Sequence, residues 1–392
     1  MRSDLILSAA AQSSQTSAEA LQTEAACALP LTEFYDTPST LSATKPGDLL
    51  RKESATEYTL LPEGTKVQRI LYHSLNAAGK DVVTSAAVML PAGRAPQDGW
   101  PIIAWGHGTT GVSRQCAPSL MKDYYGSRLS EYLRAGFAIV ATDYYGLGTE
   151  GAHHYGNGIT QGRDVVYSIK AARAAEPELN KRWVVCGHSQ GGLTAWGTAA
   201  EVHEQNDPDY LGAVAVAGGM QKDRAAAMYY TTTDPKNGAL FVMVAHGIKA
   251  RFPEFDPASM LTDAGMEHYT EVTKGGLDYC YAAFANVKPN TFPMPGWENL
   301  PLVDRWFSEF VPGERPIRGP ILVIASTGDT LVKADGIEAS VARACRAGMA
   351  VTFRLYDNLD HSQVFHQSVP DQLAWIKDRF AGKPAPGNCP PR

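Results

Sequence analysis

The run Val184-Val185-Cys186-Gly187-His188-Ser189-Gln190-Gly191-Gly192-Leu193 joins an apolar strand, through Gly-x-Ser-x-Gly, to a helix over Gly191–His203. A serine on such a sharp strand-to-helix turn has its Oγ exposed, and glycines two positions before and after it remove side chains that would collide there. The helix beyond brings backbone N–H groups and its positive dipole end near developing negative charge. Five loosely specified positions recur by chance. The strand before and the helix after give the pattern its meaning.

A serine hydroxyl is a poor nucleophile without a base in reach and a carboxylate to orient that base. In the strand–turn–helix setting these partners follow in the order acid, then histidine. Downstream, the strand Pro320–Ala325 runs into Ser326-Thr327-Gly328-Asp329, and the strand Ala350–Tyr356 runs into Asp357-Asn358-Leu359-Asp360-His361. We therefore read Ser189 as nucleophile, His361 as base and Asp329 as orienting acid. His366 is the rival base, expected on a following helix, while Asp357 and Asp360 rival Asp329 but suit turns. A tetrahedral oxyanion needs two preorganised donors. The N–H of Gln190 is one, and the loop Gly106-His107-Gly108-Thr109-Thr110-Gly111 supplies the other. Thr109 is chosen there, with Gly108 or Thr110 as register alternatives. His107 reads as a loop-bracing residue, and His153-His154 as structural.

These residues must be held by a regular frame. Val67–Ser74 and Val82–Leu90 read as an antiparallel strand pair, followed by strands Pro101–Trp105, Phe137–Thr142, Trp183–Cys186 and Leu211–Ala217. Helical spacing covers Leu120–Arg134, Gln161–Ala175, Gly336–Ala347 and Pro370–Phe380. Repeated strand–helix alternation with wholly apolar strands implies an α/β protein, a mostly parallel sheet flanked by helices. Residues 218–314 break the rhythm with Met, aromatics and Pro, and read as a mainly helical cap inserted between two core strands. The expected division is a partly disordered leader (residues 1–33), a core (34–217 and 315–392) and the cap.

A formal net charge of -6, with Lys and Arg scattered, speaks against a phosphate-backbone binder. No apolar run approaches the roughly 18 residues that cross a bilayer. The N-terminus has a short apolar run and small residues, which leaves a signal peptide open. Six cysteines without CxxC spacing give no structural zinc site. Cys389 lies in a Pro-rich tail where a covalent tether is the simplest reason for a cysteine. The residues alone leave its partner open.

Trp105–Gly111 followed by Cys116-Ala117-Pro118-Ser119, the segment Ala141–Gly148, and the Gly187–Gly191 turn together resemble the secretory lipase family, the lipase-A type of α/β hydrolase. The likeness runs from about Phe34 to the C-terminal cysteine. It implies the α/β-hydrolase fold with an inserted helical lid, a secreted carboxylic-ester hydrolase, and disulfides Cys116–Cys280 and Cys345–Cys389. Cys27 has no partner in that pattern.

The expected reaction is acyl transfer from an ester through an acyl-enzyme, with no cofactor and no metal. The expected partner is a small-molecule or lipid ester, with room for transient contact with a lipid interface. Neither nucleic acid nor an obligate protein partner is expected, and the location is secreted or periplasmic. The same triad would serve a serine peptidase or amidase, and a catalytically silent binding protein is the reading from another class. The resemblance does not fix the acyl chain length.

Overall fold

The computed structural model describes residues 15–219, 222–385 and 387–389. Nine strands among the described residues form one sheet: β1 (Leu49–Ala55), β2 (Lys66–Leu75), β3 (Asp81–Leu90), β4 (Trp100–Gly106), β5 (Ala138–Thr142), β6 (Leu179–His188), β7 (Tyr210–Val216), β8 (Ile321–Ser326) and β9 (Val351–Tyr356). Their order is β1-β2-β3-β5-β4-β6-β7-β8-β9. The ladder from β1 to β5 is antiparallel, and from β5 through β9 it is parallel.

Twelve helices accompany the sheet in the described residues. They are α1 (Ser17–Cys27), α2 (Tyr124–Arg134), α3 (Gly158–Ala175), α4 (Gln190–Gln205), α5 (Lys222–Thr231), α6 (Pro235–Arg251), α7 (Asp263–Met266), α8 (Leu277–Ala283), α9 (Pro301–Glu309), α10 (Ala334–Arg346), α11 (His361–Gln367) and α12 (Val369–Phe380). The continuous apolar strands are explained by the pleat, which sends successive side chains to opposite faces. Ile102 and Ala104 of β4, with Trp183 and Val185 of β6, join the core under α3, α4 and α10. Their neighbours Ile103, Trp105, Val184 and Cys186 join the core under α2, α11 and α12. Both faces are covered, so no polar alternation marks these strands.

Three differences from the sequence reading have local causes. β1 has no counterpart in the expected strands: it is an edge strand, Leu-Leu-Arg-Lys-Glu-Ser-Ala, whose charges suit an exposed edge. The segment read as a flexible leader holds α1, which starts on a Thr16–Glu19 capping box. Cys116 and Cys280, paired by the resemblance, are not bonded. Both are buried free thiols, and the Cys116 sulfur instead faces the Gly275 carbonyl at 3.5 Å. Burial pushes the Cys116 thiol up to about 12 and keeps it protonated. The Cys345–Cys389 disulfide is present and fastens the C-terminal segment to α10, with the Cα atoms 5.5 Å apart.

Between β7 and β8 the chain makes a long excursion through α5 to α9. These helices enclose their own apolar core, including Phe241, Met243, Phe284 and Trp297. The same core takes in Ala20 of α1. Glu24 of α1 accepts the backbone N–H groups of Gly276 (2.7 Å) and Tyr279 (2.9 Å) at the N-terminus of α8.

Candidate active site

Ser189 stands between β6 and α4 with φ 59° and ψ -120°, a left-handed-side conformation unusual for a non-glycine residue. Its backbone is pinned from both sides. Its N–H donates to Val216 O (2.9 Å), and its carbonyl accepts from Gly192 N (2.9 Å) and Leu193 N (3.2 Å). The flanking glycines are steric requirements: a Cβ on Gly187 would strike the Gly191 carbonyl, and one on Gly191 would strike the Gly106 carbonyl. Strain of this kind persists only where the surroundings over-determine it.

Asp329 follows β8 and is buried, at 4% exposure. One carboxylate oxygen accepts the N–H groups of Leu331 and Val332 (2.9 Å each), and the other lies 2.6 Å from His361 Nδ1. His361 is the first residue of α11. Asp360 explains this placement, because it is the N-cap, accepting Ser362 N (2.9 Å) and Gln363 N (2.8 Å). That employment leaves its carboxylate facing the helix end. His366 lies on the same α11 and not on a following helix, and it lines a different cavity from Ser189.

Ser189 and His361 open into one cavity of about 430 Å³, together with Gly108, Thr109 and Gln190. Gln190 is the first residue of α4, so its N–H has no acceptor within the helix. Thr109 lies in the loop after β4, and its hydroxyl bonds the Tyr155 hydroxyl at 2.9 Å. Thr110 turns its carbonyl to Leu277 N (3.0 Å) at the start of α8. The apolar lining comes from the core through Trp105 and Leu193 and from the inserted helices through Met228 and Leu240.

Imidazoles brace this arrangement. His107 lies between the Gly108 carbonyl (2.6 Å) and the Asp143 carbonyl (3.0 Å), stacked on Tyr144 at 4.1 Å. Burial lowers it to about 4. The Gln190 side-chain amide donates to His153 Nε2 (3.1 Å), while His153 Nδ1 donates to Tyr145 O (2.8 Å). His154 turns away, to Thr160 Oγ1 at 3.0 Å. Burial holds His153 at about 3 and His154 at about 4, so both are neutral at ordinary pH.

The residue missed by motif reasoning is His188, the variable position before the serine. Its Nε2–H donates to the His361 carbonyl at 2.8 Å, and the two rings lie 4.6 Å apart. Burial, and then the neighbouring His361, hold its imidazole well below the ordinary value. Nothing in the spacing distinguishes this position, because the contact spans 173 residues.

The sheet order, the serine on the β6–α4 turn, and the acid and histidine carried after β8 and β9 define the α/β-hydrolase class. The secretory lipase family pattern matches residues 125–388, and the chain belongs to that family. It is 25% identical over 377 residues to a protein of Mycobacterium tuberculosis named "probable inactive lipase", covering 90% of this chain and 82% of that one. Lipase A of Candida antarctica in its closed state shares the fold, with TM-score 0.77, 17% identity, and 93% and 90% of the two chains covered. So does a rice cell wall degrading esterase of Xanthomonas oryzae, with TM-score 0.71, 16% identity, and 86% and 99% covered.

Proposed function

We propose that the chain is a serine carboxylic-ester hydrolase in which His361 accepts the Ser189 proton as the hydroxyl attacks an ester carbonyl. The observation that carries this reading is the 2.6 Å Asp329–His361 contact, with His361 and Ser189 lining a single cavity. Asp329 fixes the imidazole with Nδ1 protonated, leaving Nε2 to serve as base. The N–H groups of Thr109 and Gln190 hold the oxyanion. The alcohol departs with a proton from His361, and water attacks the acyl-enzyme by the reversed roles.

The inserted helices act as a lid that supplies the apolar wall for the acyl or alcohol part. Family membership supports secretion. The name "inactive" belongs to the Mycobacterium relative; the active reading of this chain is supported by the Asp329–His361 contact and by Ser189 and His361 lining one cavity.

An organophosphonate should label the protein stoichiometrically, and Ser189→Ala should abolish labelling and lower turnover of p-nitrophenyl esters by about 10⁶-fold. A Ser189→Ala protein that keeps a tenth of the activity defeats the proposal. A profile of p-nitrophenyl esters from acetate to palmitate locates the chain length.

A further inference from the structure

The wall of the reaction cavity is mostly apolar or neutral, yet it carries a guanidinium. Arg128 lies on α2 one turn beyond Tyr124, and both line the cavity with Ser189 and His361. Its head group is fixed by its own helix: Nη1 donates to Tyr124 O (3.2 Å) and Ser127 Oγ (3.1 Å), and the guanidinium carbon stands 4.2 Å from the Tyr124 ring centre. Those contacts leave the remaining N–H donors of the fork uncommitted.

No carboxylate forms an ion pair with Arg128 among the described residues. Asp278 on α8 feels its charge but lies beyond ion-pair distance. Asp335, the one carboxylate among the lining residues, has a partner of its own. Lys333, just before α10, adds a second cation to the lining, while His188 is held neutral by burial.

An isolated cation in an apolar wall is costly unless water or an anion meets it. Arg128 also borders a second cavity of about 440 Å³, with Leu60, Arg134 and His366. Its unneutralised guanidinium, in the lining of the reaction cavity, matches a carboxylate, which guanidinium binds bidentately.

We infer that Arg128 recognises a free carboxylate on the ester, so that the favoured substrates are anionic esters. This rests on the hydrolase reading above and names its substrate class. The anion sits either on the acyl part, as in half-esters of dicarboxylic acids, or on the leaving alcohol, and the experiment separates the two.

The test compares kcat/KM for p-nitrophenyl half-esters from succinate to adipate with neutral acyl esters of matching length. It also compares 3-carboxy-4-nitrophenyl butyrate with p-nitrophenyl butyrate. One anionic series should be preferred, and Arg128→Gln should cut the anionic-to-neutral ratio by about tenfold or more, the scale of a charge-assisted bond. Arg128→Lys should keep more of the preference, and added salt should compress it in the unaltered protein. An anionic-to-neutral ratio that neither salt nor either substitution alters, in both series, overturns the inference. If no ester, neutral or anionic, is hydrolysed, the hydrolase reading falls instead. Should Arg128→Gln fail to fold, Arg128→Lys and the salt dependence still decide the matter.

Discussion

His188 Nε2 donates to the carbonyl oxygen of His361 across 2.8 Å, so the residue before the candidate nucleophile holds the backbone of the candidate base. The end of β6 and the start of α11, remote in sequence, thereby share one imidazole as a strut. With the Asp329 contact at Nδ1, His361 is held through both its main chain and its ring.

His188→Ala should therefore misplace His361, while removing one of the many side chains that line the cavity. We expect kcat to fall about tenfold to a hundredfold, the cost of displacing a reacting group by about an ångström, with KM little changed. Steady-state kinetics on p-nitrophenyl butyrate, with circular dichroism as the folding control, would check this. A folded variant with unaltered kcat removes the strut from the account.

Asp329→Asn preserves shape, and its amide oxygen can still accept the Leu331 and Val332 N–H groups. Its amide nitrogen, however, then faces His361 Nδ1 and favours the wrong tautomer. Turnover should drop by about 10⁴-fold with little loss of stability. If the substitution costs less than about tenfold, the orienting acid lies elsewhere.

Two buried acids should contribute a pH-dependent part of the stability. Burial pushes Asp143 up to about 6 and Asp164 up to about 7, even though Ser119 and Ser85 donate to the first, and Ser74 and Tyr145 N to the second. Unfolded aspartates titrate near about 3.9, so between about pH 4 and 7 these two carboxyls bind more protons in the folded chain than in the unfolded one, against the four buried neutral histidines, which bind fewer. This contribution is therefore full at low pH and is lost as pH rises through that window. Urea melts at several pH values should give a slope of stability against pH that is more positive for Asp164→Asn than for the unaltered protein. An unchanged slope in that variant refutes the assignment.

Glu24 ties α1 to the first turn of α8, whose Leu277 lines the reaction cavity. Glu24→Ala leaves two helix-terminal N–H groups without their acceptor and should destabilise that corner by about 1–3 kcal/mol. Hydrogen exchange in α8 should accelerate while exchange in β6 stays slow. Equal acceleration in both would mean that the contact serves the whole fold and not the inserted helices.

Much of the framework was legible because burial on both faces wrote it as runs such as Ile102–Trp105 and Val184–Cys186. Asp329 and His361 could be singled out because each follows such a run. What escaped depended on distant partners or on an edge. β1 carries charges because only one of its edges is paired, so its composition does not mark a strand. α1 is helical in a Ser- and Ala-rich stretch whose order comes with packing on α8, and the Glu24–Gly276 contact spans 252 residues. His188 falls on a variable motif position, and Arg128 on an ordinary helix face. No local pattern announces either.

The long excursion between β7 and β8 has a consequence for how such enzymes diversify. Two parallel neighbours need a crossover in any case, so helices added to it displace no rung of the ladder. Natural variation can enlarge, trim or replace this roof while the serine turn and the acid–histidine pair stay on unaltered strands. The serine turn and the acid–histidine pair thus stand on stretches of the chain separate from the inserted helices.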